Sequence, residues 1–220
     1  MWVVKLGGSL SRDALLPRWL EMLAEFGRGR VTVVPGGAAF ADAVREAQAH
    51  WGFGDVAAHN MAVLAMAQTA HMLHALEPRL VMVSDEDGIR RTLHAGRPAL
   101  WLPLALVRDA PDLLTTWEVT SDSLSLWLAR QLNAERLVLV KSCAVPPGST
   151  LGDLSAAGVV DKRFAQWAAD AAFLIEVVQA DEIERVRDAL LGAPQPVPAS
   201  LALPGGGNGR RVRARRKPAA

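Results

Sequence analysis

At 220 residues, half of them apolar, the chain can bury a substantial core and falls in the range of one domain. A single cysteine, Cys143, excludes an internal disulfide framework, and no segment approaches the roughly 18 uninterrupted apolar residues of a membrane helix, since even residues 56–76 carry His59, Asn60, Gln68, His71 and His74. The net charge of +1 hides an asymmetry: six of the 24 basic residues fall at Arg210, Arg211, Arg213, Arg215, Arg216 and Lys217, leaving residues 1–209 at −5.

Short Val- and Leu-rich runs alternate with segments of helical period, the pattern of a parallel sheet covered by helices on both faces. In chain order the periodicity predicts a strand at 2–6, a helix at 13–26, a strand at 31–34, and helices at 38–50 and 55–76. Strands at 80–83 and 99–102 come next, then a helix at 122–133, strands at 137–140 and 173–177, and a helix at 181–190. Residues 1–192 are expected to form the domain. Residues 193–220, with Pro194, Pro196, Pro198, Pro204 and three glycines at 205–207, are expected to be a flexible, solvated basic tail, so nucleic acid is not an expected partner. With no basic and apolar leader at the start, a reducing cytoplasm fits the chain best.

Chemistry concentrates where strands end. Lys5-Leu6-Gly7-Gly8-Ser9 closes the first strand and precedes a helix, so backbone N–H groups can approach an anion; a tight turn would explain the same glycines. Lys5, an ammonium inside an apolar strand, needs solvent or a negative partner, and transferring phosphate oxygens would be one. The second strand ends likewise in Val34-Pro35-Gly36-Gly37-Ala38. Two such turns on neighbouring strands would hold two anions face to face for in-line phosphoryl transfer.

Trp117-Glu118-Val119-Thr120-Ser121-Asp122-Ser123 places a polar cluster at a helix start. Ser121 or Asp122 reads as the cap; Asp122 could also accept hydrogen bonds from Lys5 and aim it. The fifth strand ends in Lys141-Ser142, which suits nucleotide phosphates or a solvated strand end equally. Asp161, before Lys162 and Arg163, reads as the cap of a surface helix. His71 and His74 lack a third ligand at suitable spacing, so no metal site is expected. Met61, Met66 and Met72 are expected to fill core, whereas His59 could reach a ligand held at Gly36 and Gly37. Trp19, Trp51 and Trp101 suit either core or an interface between copies.

Taken in order, Lys5 to Ser9, Pro35-Gly36-Gly37, Thr120-Ser121-Asp122 and Leu137-Val138-Leu139-Val140 resemble the amino acid kinase superfamily of aspartokinase, acetylglutamate kinase, uridylate kinase and isopentenyl phosphate kinase. The segments from Ala58 to Met66 and from Trp117 to Ser123 are most similar to a small aspartokinase-related branch. That branch contains the kinase of methanofuran biosynthesis, which phosphorylates aminomethylfuranmethyl phosphate to its diphosphate. The resemblance spans about residues 1 to 190 and implies an α/β fold, a three-layer αβα sandwich with a mainly parallel central sheet.

It also implies an ATP- and Mg2+-dependent phosphotransferase, cytoplasmic and homo-oligomeric, converting a small phosphomonoester to a diphosphate in one-carbon cofactor biosynthesis of the methanofuran or methylofuran kind. Carried over by position, Lys5 stabilises the transferring phosphoryl group and Asp122 orients Lys5. Gly7, Gly8 and Ser9, with Ser121, Lys141, Ser142 and Lys162, serve ATP; Gly36, Gly37, His59 and Thr120 serve the acceptor. Other acceptors remain open, among them isopentenyl phosphate, a carboxylate or a nucleoside monophosphate, as does a non-catalytic nucleotide- or oxyanion-binding subunit. The chain departs from its relatives at Lys141-Ser142-Cys143-Ala144-Val145-Pro146, where many carry an Asp-Val-Asp-Gly-like loop, so base and ribose contacts do not carry over. The second phosphate-facing lysine of the relatives matches Lys162 or Lys141. With no tyrosine and five phenylalanines, an aromatic-lined acceptor pocket is not expected.

Overall fold

The computed structural model describes residues 1–192; the predicted basic tail, 193–220, lies outside the described residues. The strands are β1 (Trp2–Leu6), β2 (Val31–Pro35), β3 (Val81–Val83), β4 (Ala99–Trp101), β5 (Arg136–Lys141) and β6 (Leu174–Gln179). They form one sheet in the order β3-β4-β2-β1-β5-β6, and every neighbouring pair is parallel rather than mainly so. Both faces of these strands are covered, which is why they read as continuous apolar runs instead of alternating ones.

Side chains of alternate parity feed two cores. Val3, Val34, Leu137, Leu139 and Val177 pack toward α5 (Ser121–Gln131), α6 (Leu151–Ala156) and α7 (Phe164–Ala168). Val4, Val33, Val138 and Val178 pack toward α1 (Leu16–Phe26) and α8 (Ile183–Leu190). The helices α2 (Ala38–Trp51) and α3 (Asp55–Leu76) pack together beyond β2, and α3 serves both cores, through Val63 and Met66 on one side and Ala70 and Leu73 on the other.

Three helices escaped the periodicity: α4 (Glu86–His94), α6 and α7. Each is short, and in α4 only Ile89 and Leu93 are buried apolar positions, too few to show a period; Asp85 caps it, accepting from the Gly88 N–H at 2.6 Å. Trp19 and Trp101 are core, the Trp19 indole donating to the Ala180 carbonyl at 2.7 Å, whereas Trp51 is 76% exposed. Met66 fills core as expected; Met61 does not, for it lies on the outer face of α3 with Leu64. No helix among the described residues is long and apolar enough to cross a membrane.

Candidate active site

Lys5 shares the parity of Val3, so its side chain rises on the face that α5 covers, between Val34 and Leu139 in register. An ammonium in such surroundings requires a counter-charge. Asp122, in the first turn of α5, supplies it: Lys5 Nζ donates to Oδ1 at 2.8 Å. Lys141, the last residue of β5, donates to the same carboxylate at 2.8 Å to Oδ1 and 2.7 Å to Oδ2. Lys5, Asp122 and Lys141 are 3, 4 and 8% exposed, so the Lys141 end of the strand is not solvated. Burial pushes the Asp122 carboxyl up, but the charges of Lys5 and Lys141 outweigh it and hold the group down at about 2. Burial, and next the neighbouring Lys5 charge, push Lys141 down to about 8 against the pull of Asp122. Two ammonium groups on one carboxylate leave an uncompensated positive charge, which a phosphate anion would balance.

The cap of α5 differs from expectation. Thr120 occupies the N-cap position without a side-chain cap bond, and neither Ser121 nor Asp122 caps the helix, because Asp122 is spent on the lysines. Asp161 does the capping from 38 to 41 residues away: its carboxylate accepts from the N–H groups of Thr120 at 2.8 Å and Ser123 at 2.9 Å, and from their hydroxyls at 3.1 and 2.5 Å. It therefore does not cap a surface helix of its own, as α7 begins after Arg163. The Asp161 backbone N–H donates to Asp122 Oδ2 at 3.2 Å, tying the 159–162 segment to the lysine-bearing carboxylate. Burial pushes the Asp161 carboxyl up, the Ser123 hydroxyl bond counters it, and the Asp122 charge adds to the rise. Sequence reasoning missed this residue's part in the site because helix caps are sought next to the helix they serve.

The two glycine turns touch. Gly7 N–H donates to the Val140 carbonyl and Gly36 N–H to the Leu6 carbonyl, each at 3.0 Å. A Cβ on Gly36 would stand 2.5 Å from the Gly8 nitrogen, closer than any side chain tolerates. Gly7 and Gly36 thus seat the turns against their neighbours and do not line the cleft, whereas Gly8, Ser9 and Gly37 do. Ser142 lies off the lining too, but its hydroxyl is 2.5 Å from that of Ser9. At Gly37 the chain is right-handed helical (φ −76°, ψ −16°) and at Ala38 φ is +50°, a succession that turns consecutive N–H groups toward one point, as anion-binding nests do. These N–H groups precede the first helical bond of α2, from Ala41 N–H to the Gly37 carbonyl at 3.0 Å, and no side chain among the described residues caps them.

The turns and the lysines open on one cleft of 670 Å³ at the carboxyl ends of β1, β2 and β5, where open α/β sheets gather ligands. Thr120, Ser121 and Lys162 line it; Lys162 is exposed and in no ion pair among the described residues. His59 lines it as well, with Nε2 2.8 Å from the Leu106 carbonyl. Among the described residues no group of three or more His, Cys, Asp or Glu side chains could hold a metal. The carboxylates nearest the lysines are already engaged, Asp122 by ammonium groups and Asp161 by helix N–H groups and hydroxyls, so this donor set does not fit a protein-held divalent ion.

Known proteins share this architecture. The chain is 25% identical over 206 residues to the [5-(aminomethyl)furan-3-yl]methyl phosphate kinase of Methanocaldococcus jannaschii, with 87% of this chain and 94% of that protein covered. In structure it is similar to the uridylate kinase of Archaeoglobus fulgidus, with TM-score 0.64, 15% identity, and 88% and 97% of the two chains covered. It is also similar to isopentenyl phosphate kinase, with TM-score 0.56, 17% identity, and 89% and 98% covered. These likenesses establish the three-layer fold. The sequence profile described as the amino acid kinase family matches residues 1–144, a stretch that takes in both glycine turns and all of Lys5, Asp122 and Lys141, so the chain belongs to the amino acid kinase family and is an ATP-dependent kinase.

Proposed function

We propose that the chain transfers the γ-phosphoryl group of ATP to the phosphate of a small phosphomonoester, giving a diphosphate and ADP. The acceptor we favour is the aminomethylfuran phosphate named for the relative from Methanocaldococcus jannaschii, in cofactor biosynthesis of the methanofuran or methylofuran kind. The observation that carries this reading is the pair of buried ammonium groups held by Asp122 beside two glycine turns at one cleft.

In the transfer, an acceptor phosphate oxygen attacks the γ-phosphorus as the bond to the β-phosphate oxygen breaks, and ADP leaves. The acceptor oxygen is already ionised, so no general base is needed, and catalysis reduces to positioning and charge stabilisation. Lys5 and Lys141 would meet the charge on the moving phosphoryl group, with Asp122 keeping both charged and aimed. Gly8, Ser9 and Ser121 would contact the nucleotide phosphates, with Lys162 reaching in from the rim, and Ser142 would act through Ser9. The uncapped N–H groups after Gly37 would hold the acceptor phosphate near His59 and Thr120. Magnesium would enter on the triphosphate of ATP.

We place residues 1–192 as the catalytic unit, working in the cytoplasm, and expect deletion of 205–220 to leave turnover intact. The apolar outer stripe of Met61 and Leu64 on α3, beside exposed Leu104 and Val107, favours a homo-oligomer; a monomer of 23.6 kDa in sedimentation at micromolar concentration would count against it. The direct test of function is ADP release with phosphorylated furans, isoprenoids and nucleotides as acceptors, with the diphosphate product read by phosphorus NMR. ATP turnover that responds to none of them would overturn the acceptor assignment.

A further inference from the structure

The half of the cleft beyond Gly37 is built unlike the phosphate half. Its lining includes an apolar floor of Ala58, Ala62, Val63, Met66 and Val119, beside the charged Asp42, Arg45 and Asp55, with Trp117 from the segment before α5 as a wall. The Trp117 ring is held on two sides. Its Nε1–H donates to Gln48 Oε1 at 2.5 Å, and the Gln48 amide is itself fixed, donating to the Phe53 carbonyl at 3.1 Å and to Asp55 Oδ1 at 3.0 Å. The Arg45 guanidinium stands 4.6 Å from the ring centroid, in cation–π contact, and is tethered to Asp42 at 2.7 Å. Two contacts thus fix the orientation of the indole, and three more hold the partners that make them.

Resting on the acceptor assignment above, we infer that Trp117 determines acceptor specificity, and that the subsite it walls takes a planar aromatic ring carrying the phosphorylated arm. A pre-oriented indole presents a flat ring at little entropic cost; Arg45 covers one face, and small floor residues such as Ala58 and Ala62 leave room for a ring to lie against the other. A nucleobase is aromatic too, but discriminating one requires donors and acceptors aimed at its edge; of the charged side chains on this part of the cleft, Asp42 and Arg45 are engaged with each other and Arg45 with the Trp117 ring, and Asp55 is engaged with Gln48. The His59 ring nitrogen that could serve is turned to the Leu106 carbonyl. Shape and stacking, rather than edge reading, remain as the means of selection. The sequence alone pointed the other way, since the scarcity of tyrosine and phenylalanine argued against an aromatic wall; a single tryptophan supplies it.

The test compares benzyl phosphate with isopentenyl phosphate, two monoesters that differ in the ring, binding to the full chain in the presence of ADP by calorimetry. Trp117→Leu should weaken benzyl phosphate about tenfold and isopentenyl phosphate by less than about threefold, and Trp117→Phe should keep benzyl phosphate within about threefold of the parent, since a stacking face survives. Thermal melts of both variants check that the fold is intact. Equal losses for the two ligands, no loss for either, or no binding of benzyl phosphate to the parent chain would overturn the inference. Formation of the diphosphate is read separately with phosphorylated furans as acceptors: Trp117-dependent binding of benzyl phosphate, with no diphosphate formed from any phosphorylated furan, would overturn the kinase acceptor assignment and leave the subsite standing.

Discussion

Replacing Lys5 by methionine removes one ammonium from the buried trio while filling most of its volume. Asp122 keeps both bonds from Lys141, at 2.8 and 2.7 Å, so the carboxylate is not orphaned and the fold should persist. If Lys5 meets charge that grows in the transition state, losing that contact costs about 3 to 4 kcal/mol, so kcat should fall by a factor of about 100 to 1000 while ATP affinity changes far less. The same substitution removes the Lys5 repulsion, the second cause after burial of the low Lys141 value of about 8, so Lys141 should hold its proton to higher pH. The direction follows from linkage. An anion bound beside a depressed lysine favours the charged form and draws in a proton at and above pH 8, and with Lys5 gone that window moves upward. ADP binding at pH 8.5 should therefore take up fewer protons in Lys5→Met than in the parent. Calorimetry in two buffers of different ionisation enthalpy reads the uptake, and steady-state ADP release reads turnover. Undiminished turnover, or unchanged proton uptake, would refute the arrangement of two lysines sharing one carboxylate.

Asp122→Asn leaves two ammonium groups buried together without a counter-charge, and urea unfolding at neutral pH should show a loss of about 3 to 5 kcal/mol. That loss should shrink above pH 9, since Lys141 is the group already poised to shed its proton; a loss independent of pH would mean the repulsion is not its source. The kcat penalties of Asp122→Asn and Lys5→Met should combine to much less than their sum, because both disable one unit. Asp161→Ala should lower stability by about 1 to 2 kcal/mol through loss of the α5 cap, with Asp161→Asn recovering part of it by keeping one acceptor; a thermal melt in which both variants match the parent would deny Asp161 the cap. Thr32→Val, at a fully buried hydroxyl without a partner among the described residues, should raise stability by about 1 kcal/mol, and a fall instead would show that the hydroxyl is satisfied.

How much of this was legible in the sequence depended on the range over which each cause acts. Strands announced themselves because burial on both faces makes every position apolar, and the glycine turns because backbone approaching backbone admits no other residue, as the crowding of Gly36 against Gly8 makes plain. The charge of Lys5 in an apolar strand called for solvent or a negative partner without naming it; the resemblance pointed to Asp122, 117 residues away, and the structure joins the two. The engagement of Lys141 was ambiguous because a lysine at a strand end finds water as readily as a partner, and only the position of α5 decides between them. Asp161 and Trp117 were beyond reach for the same reason. Each acts through groups brought from other elements, α5 for the one and α2 for the other, and neither pattern nor propensity records such convergence.

The contact between the two glycine turns bears on how such an enzyme changes its substrate. With main chain set directly on main chain at Gly8, Gly36 and Ala38, the two glycine turns cannot shift independently, so if they hold donor and acceptor as proposed, the gap that a phosphoryl group must cross is a property of the backbone. Side chains lining the outer cleft, Trp117 among them, are free of that duty. Exchanging them can alter which acceptor is retained while the transfer distance stays as it is, which separates the inheritance of chemistry from the inheritance of selectivity within a single fold.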